Sequence, residues 1–345
     1  MININEYAQL SQDIYGQPFR IPSYKNIDFI SKKYNGWGRI ENVDSSITPA
    51  SNFFAGLYIK FRAGVAEDAV IAFRGTVFSN AQDLFEDVVS WYSSALGTGM
   101  HDRVPGYFKN AVNFESRARQ YLRDHFPKLA HLSHLRYTGH SLGGALAQLL
   151  SVTNFPVPSV SFNSPSCRNI CPKSSEERWG LVNNINSRYD ILNKLGGVPI
   201  GKTHQINIPQ FQDEAKALLA HFNEKRFSEG RALEQIGGSI SKTSGTAGMA
   251  LSAEGTVLEV EGYAGSLSGL VDAPHEQAEA AICAKVEEFL LSGTFSIKPS
   301  QANCNSLVTV ISAPTAIEAI MAQHSIDNML STLSEHSPEI AGLII

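Results

Sequence analysis

The spacing of apolar residues changes period along this chain. Residues 4–15 repeat theirs at helical intervals and predict an amphipathic helix. From 33 to 74 the period turns to that of strands. Leu57, Ile59 and Phe61 alternate with Tyr58, Lys60 and Arg62, which predicts a half-buried strand. A glycine-containing turn over 63–68 leads to AVIAF (69–73), a short apolar run typical of a central strand. Residues 105–126 have a helical pattern. HLRYTGH (134–140) starts the next strand, and Leu142, Ala145, Leu146, Leu149 and Leu150 mark one face of the helix after it. PSVSFNS (158–164) and LVNNINS (181–187) predict two more strands, and HQINI (204–208) is a further candidate. Strands alternating with helices predict an α/β fold, its mostly parallel central sheet covered by helices on both faces.

The pattern shifts after about residue 212. DEAKALLAHFNEK (213–225) reads as a helix with Ala215, Leu218, Leu219 and Phe222 on one side. Residues 230–269 hold nine glycines, six charges and no proline, and their pattern assigns no element. A long helix is predicted from Asp272, a suitable N-cap, to Leu291. LVTVIS (307–312) reads as the last core strand. Thr315 and Glu318 have capping-box spacing for a short helix after it. A final helix starts near Ser325, with Ile326, Met329, Leu330 and Leu333 on one face.

Composition narrows the function classes. The 345 residues suffice for one large α/β domain or two domains, and for a core that needs no staples. Apolar residues make up 43% and charged residues 18%, too apolar for a disordered chain. The net charge of −5 argues against a polyphosphate-binding surface, so no nucleic-acid partner is expected. No run of 18 apolar residues exists to span a bilayer. The start, MININEYAQLSQDIYG, lacks a basic stretch leading into an apolar one, so no secretory signal is expected. The location expected is then cytoplasmic, or outside the cell by an export route that needs no signal peptide. Cys167 and Cys171 have helix-face spacing but no histidine at metal-ligand spacing, so all four cysteines read as ordinary thiols. No metal and no organic cofactor is expected.

Candidate chemistry centres on Gly139-His140-Ser141-Leu142-Gly143. A sharp strand-to-helix turn leaves no room for side chains at its flanks, hence glycines two before and two after the serine. The serine is held there with its hydroxyl at the sheet edge. Acyl transfer also needs two donors aimed at the developing oxyanion. One is the backbone N–H of Leu142, directly after the nucleophile. The other must come from an earlier strand-end loop, and Thr76 after AFRG is well placed for it.

AFRGT (72–76), QDLFEDV (82–88), VPGYFKNA (104–111), GHSLGGALA (139–147) and FNSPS (162–166) occur in the order seen in class 3 lipases. Over about 50–210, and again around the C-terminal histidine, the chain resembles these fungal-lipase-like α/β-hydrolases, in a bacterial type. Two departures stand out: Val104 where the family often has histidine, and Leu84 where it often has tryptophan. The resemblance implies an α/β-hydrolase fold and a lipid ester substrate, an acylglycerol or a phospholipid cleaved at an acyl position.

A serine hydroxyl needs a base, and the base needs an orienting carboxylate. In this fold class the chain order is serine, acid, histidine. Asp190 follows the strand over 181–187, at the same sheet edge as Ser141, and the resemblance points to it too. Two histidines beyond it compete for the base. His275 lies in the first turn of the long helix. His324 lies directly before the N-cap Ser325, in a loop position beyond the last strand, and HSIDNM resembles the family's C-terminal histidine segment. His324 is favoured and His275 is the alternative. A helix N-terminus near either ring disfavours imidazolium, which Asp190 must offset. His204 reads as structural or pocket-rim, and His221 and His336 as uninvolved. His140 points away from the elbow and is expected to pack or to hydrogen-bond.

These readings divide the chain into a core (1–212), an insert (213–300) and a C-terminal part of the core carrying His324 (301–345). The insert, helical or irregular, is expected near the site as a cap or lid that meets a lipid surface. The expected activity is serine ester hydrolysis on lipids or at a membrane surface, of lipase or phospholipase A type. The alternatives are a carboxylesterase for small esters and a non-catalytic lipid-binding relative.

Overall fold

The computed structural model describes residues 2–16, 36–40, 53–75, 77, 106–168, 171–191, 193, 199–219, 294–297 and 309–343. The predicted helix over 272–291 and most of the 213–300 insert lie outside the described residues, as do Thr76, His221 and His275.

Seven strands form one sheet in chain order: β1 (Trp37–Ile40), β2 (Ala55–Arg62), β3 (Val65–Phe73), β4 (Leu135–His140), β5 (Ser159–Phe162), β6 (Val182–Ser187) and β7 (Lys202–Ile206). The first three pair antiparallel, and β3 through β7 run parallel. The helices are α1 (Ile4–Asp13), α2 (Gly106–His125) and α3 (Leu142–Thr153), then a helical stretch over 212–219. After it come α4 (Ala313–His324), α5 (Ile326–His336) and α6 (Pro338–Ala341). This is the α/β-hydrolase arrangement, and it sets the carboxyl ends of five parallel strands along one edge, where such sheets place their sites.

Strand alternation sorts the core into two layers. Leu57, Ile59, Ile71, Phe73, Leu135 and Tyr137 face α2 and α3, through Phe114, Ala118, Leu122, Leu146 and Leu150. Tyr58, Val70, Ala72, Val160, Phe162 and Ile185 face the other way, against α1 and α5. Thus the first helix and a helix near the C-terminus cover one face together, through Ile4, Tyr7 and Leu10 beside Ile326, Met329 and Leu333. Fully burying one such side chain contributes roughly 1.5–3 kcal/mol.

Three expectations need correction. β2 is buried on both faces from Ala55 to Lys60, not half-buried. Its polar face is covered by α1, whose Glu6 takes Lys60 at 2.6 Å and Trp37 Nε1 at 3.1 Å, so the charge is buried as a pair. Glu6 also closes a capping box with Asn3. The apolar run near 309 is a strand (β9, Thr309–Ser312), but it pairs antiparallel with β8 (Thr294–Ile297) in a separate ladder. An apolar run encodes strand conformation and not which sheet receives it. Finally, α4 starts at Ala313, two residues before Thr315. Pro314 falls in its first turn, where a missing N–H costs little. Among the described residues, no helix is long and apolar enough to cross a membrane.

Candidate active site

The site is built where β4 gives way to α3. Ser141 sits at φ 56° and ψ −131°, a conformation that costs a non-glycine residue on the order of 1–3 kcal/mol. Close packing on both sides holds it there. A Cβ on Gly139 would strike the backbone of Gly143, and one on Gly143 would strike the carbonyl of Phe73 at the end of β3. The main chain is pinned as well, with Ser141 N–H donating to the Phe162 carbonyl at 3.0 Å. The Ser141 side chain does not cap α3, and its buried hydroxyl oxygen has no hydrogen-bond partner among the described residues. Leu142 and Gly143 open the helix, where N–H groups lack intrahelical acceptors. Gly144 and Ala145, the next two residues, donate to the Ser141 carbonyl.

Asp190 and His324 meet at the same edge. Asp190 lies in the turn after β6 and is fully buried. His324 Nδ1 stands 2.9 Å from Asp190 Oδ2. With that hydrogen donated to the carboxylate, Nε2 carries the lone pair, and this buried nitrogen has no hydrogen-bond partner among the described residues. His324 is not in a loop as expected: it is the last residue of α4, and Ser325 caps α5 directly after it.

Sequence reasoning missed Gln323. This fully buried side chain makes three hydrogen bonds, using both of its donors. Its amide donates to the Ile208 and Gln210 carbonyls at 3.0 and 2.8 Å, and its Oε1 accepts from Ser187 Oγ at 2.6 Å. Its backbone carbonyl accepts from Asn163 Nδ2 at 2.8 Å, and Asn163 Oδ1 accepts the Ser187 N–H. The ends of β5, β6 and β7 thereby converge on the residue before His324. The available signal was a glutamine directly preceding the candidate base in an apolar helix.

His140 takes the hydrogen-bonding role expected of it. Its Nε2 is 2.6 Å from the His324 carbonyl oxygen, its Nδ1 is 2.9 Å from Tyr15 Oη, and its ring lies 4.8 Å from that of His324. Burial, then the nearby His324, hold its pKa well below the ordinary value. His204 sits on β7, and burial beside Lys202 lowers its pKa. His336 is exposed, 3.8 Å from Glu335. Cys167 and Cys171 are buried free thiols with sulfurs 3.3 Å apart, and burial pushes the Cys167 thiol well up. Among the described residues, no cluster of three or more metal-ligating side chains occurs.

Residues 70–175 match the family model described as Lipase (class 3). The matched stretch holds the end of β3, the elbow and α3, and covers about a third of the chain. Two solved structures are similar to it. One is the crystal structure of M37 lipase, at 16% identity over 56% of this chain and 70% of that one, with a TM-score of 0.34. The other is carboxyl esterase 2 (TmelEST2) from the mycorrhizal fungus Tuber melanosporum. It is 13% identical over 75% of this chain and 99% of that one, with a TM-score of 0.29. No curated protein matches the chain in sequence.

Proposed function

We propose that this lipase-type ester hydrolase uses Ser141, His324 and Asp190 as nucleophile, base and orienting acid, on acyl esters of lipids. One observation carries the reading. A strained, buried serine hydroxyl and a buried imidazole on a buried carboxylate occupy one sheet edge, and the atoms that would react, Oγ and Nε2, both lack a hydrogen-bond partner among the described residues.

In this mechanism Ser141 Oγ attacks the ester carbonyl carbon as His324 Nε2 takes the hydroxyl proton. The Asp190 carboxylate holds the Nδ1–H and stabilises the imidazolium that forms. The negative oxygen of the tetrahedral intermediate is met by the Leu142 N–H and, on sequence grounds, by Thr76. The intermediate collapses, the C–O bond to the alcohol breaks, and His324 Nε2–H protonates the departing oxygen. Water then attacks the acyl-serine, with His324 again as base, and releases the acid and free Ser141.

The lipid substrate rests on the class 3 lipase likeness. The insert joins this reading through connectivity: Asp190 and His324 touch although 134 residues separate them. The chain between them therefore leaves the site and returns to it, which suits a cap over 213–300. The test is product analysis by mass spectrometry on a mixed lipid extract. Free fatty acids released by the wild type and absent with Ser141→Ala support the proposal. Cleavage of monomeric short esters alone, with no gain on micelles or vesicles, makes the protein a small-ester carboxylesterase instead.

A further inference from the structure

The structure assigns Tyr15 and His140 as positioning residues: a hydrogen-bonded relay from Tyr15 through the His140 ring fixes the main chain of His324 against the strand that carries the nucleophile. This inference rests on the reading of His324 as the base.

The relay runs between elements far apart in sequence. Tyr15 follows α1, Gly75 follows β3, His140 ends β4 and His324 ends α4. The Tyr15 hydroxyl packs against Gly75, where it leaves no room for a side chain. Tyr15 Oη and His140 Nδ1 are 2.9 Å apart, and His140 Nε2 and the His324 carbonyl oxygen 2.6 Å apart. Only one assignment of hydrogens satisfies every link. A backbone carbonyl can only accept, so Nε2 must carry the hydrogen. A neutral imidazole then offers Nδ1 as acceptor. Tyr15 fills it with its own hydrogen, which its burial-raised pKa keeps in place.

The position of the last link explains its use. The carbonyl of a helix's final residue has no intrahelical donor, so the end of α4 is free to fray unless a side chain ties it. His140 supplies that tie from β4, a strand paired on both sides and joined directly to Ser141. The base and the nucleophile therefore share one rigid reference. The rings of His140 and His324 stand 4.8 Å apart, so a charged His140 would oppose the imidazolium formed in turnover. Burial keeps it neutral.

The test compares His140→Leu, His140→Gln and Tyr15→Phe in the full chain. The readouts are the second-order rate of fluorophosphonate labelling at Ser141 and kcat per labelled site on a soluble ester. Misplacing a base by about 1 Å costs on the order of 100-fold. His140→Leu is expected to lower both rates about 10–100-fold with KM within about threefold, and Tyr15→Phe to lower them about 3–10-fold. His140→Gln keeps an amide donor near the Nε2 position and should recover to within about fivefold of wild type. Wild-type rates per labelled site in His140→Leu, with only fewer active molecules, would show a packing role and overturn the assignment. If that variant fails to fold, Tyr15→Phe at the wild-type rate does so alone. A wild-type protein that neither labels nor cleaves any ester would instead sink the hydrolase reading, and this inference with it.

Discussion

His324 Nδ1 lies 2.9 Å from Asp190 Oδ2, a buried contact between residues 134 positions apart. The carboxylate fixes which ring nitrogen carries the hydrogen, leaving Nε2 as the basic site. Asp190→Asn keeps the shape but presents an amide that favours the wrong tautomer. Turnover on a p-nitrophenyl ester should fall about 10⁴-fold while circular dichroism stays native. Residual activity above about a tenth would remove Asp190 from the mechanism.

Gln323 bears on stability as well as on placement. Gln323→Leu leaves the Ser187 hydroxyl and the Ile208 carbonyl without this partner in a buried setting, and the Gln210 carbonyl in a partly exposed one. Each unsatisfied group costs about 1–3 kcal/mol. Urea unfolding should show a loss of at least about 2 kcal/mol, and a change under about 0.5 kcal/mol would mean that water replaces the side chain freely.

Gly143 packs against the backbone at the end of β3, so a methyl group there meets the Phe73 carbonyl rather than a side chain that can move aside. Gly143→Ala should destabilise the protein by about 1–3 kcal/mol and shift the elbow, lowering labelling of Ser141 in the folded fraction. A fully stable and fully active variant would show that the elbow has slack.

His140 also gives stability a pH dependence. Burial lowers its pKa below the ordinary value of 6.5, so the unfolded chain binds a proton there that the folded chain refuses. Its contribution is complete above about pH 6.5 and is lost as pH falls from there toward the folded-state value. Unfolding free energy between pH 5 and 6 should rise with pH more steeply in wild type than in His140→Gln, by about 1.4 kcal/mol per pH unit. Parallel curves would mean that His140 is protonated in the fold.

The sequence exposes the parts of this site that depend on local rules. The elbow is legible because steric crowding demands glycines at 139 and 143 around the serine, and the end of β3 because a buried central strand is a continuous apolar run, here 69–73. Asp190 and His324 stand out as candidates through chain order and strand-end position. What stays hidden is long-range. Nothing local tells Lys60 that Glu6 will bury it, or β9 that its partner is β8 rather than the core sheet. Tyr15 and Gln323 look like ordinary helix-end residues. Their roles exist only once α1 and α4 reach the carboxyl ends of β4 to β7.

The central claim is that Ser141 forms a covalent intermediate activated by His324. The direct measurement is the intact mass of the protein after reaction with a fluorophosphonate, followed by peptide mapping. One adduct on Ser141 is expected in the wild type. None is expected in Ser141→Ala, and labelling should slow at least about 10³-fold in His324→Ala, since members of a triad act as a unit. An adduct on another residue, or undiminished labelling of His324→Ala, would contradict the account.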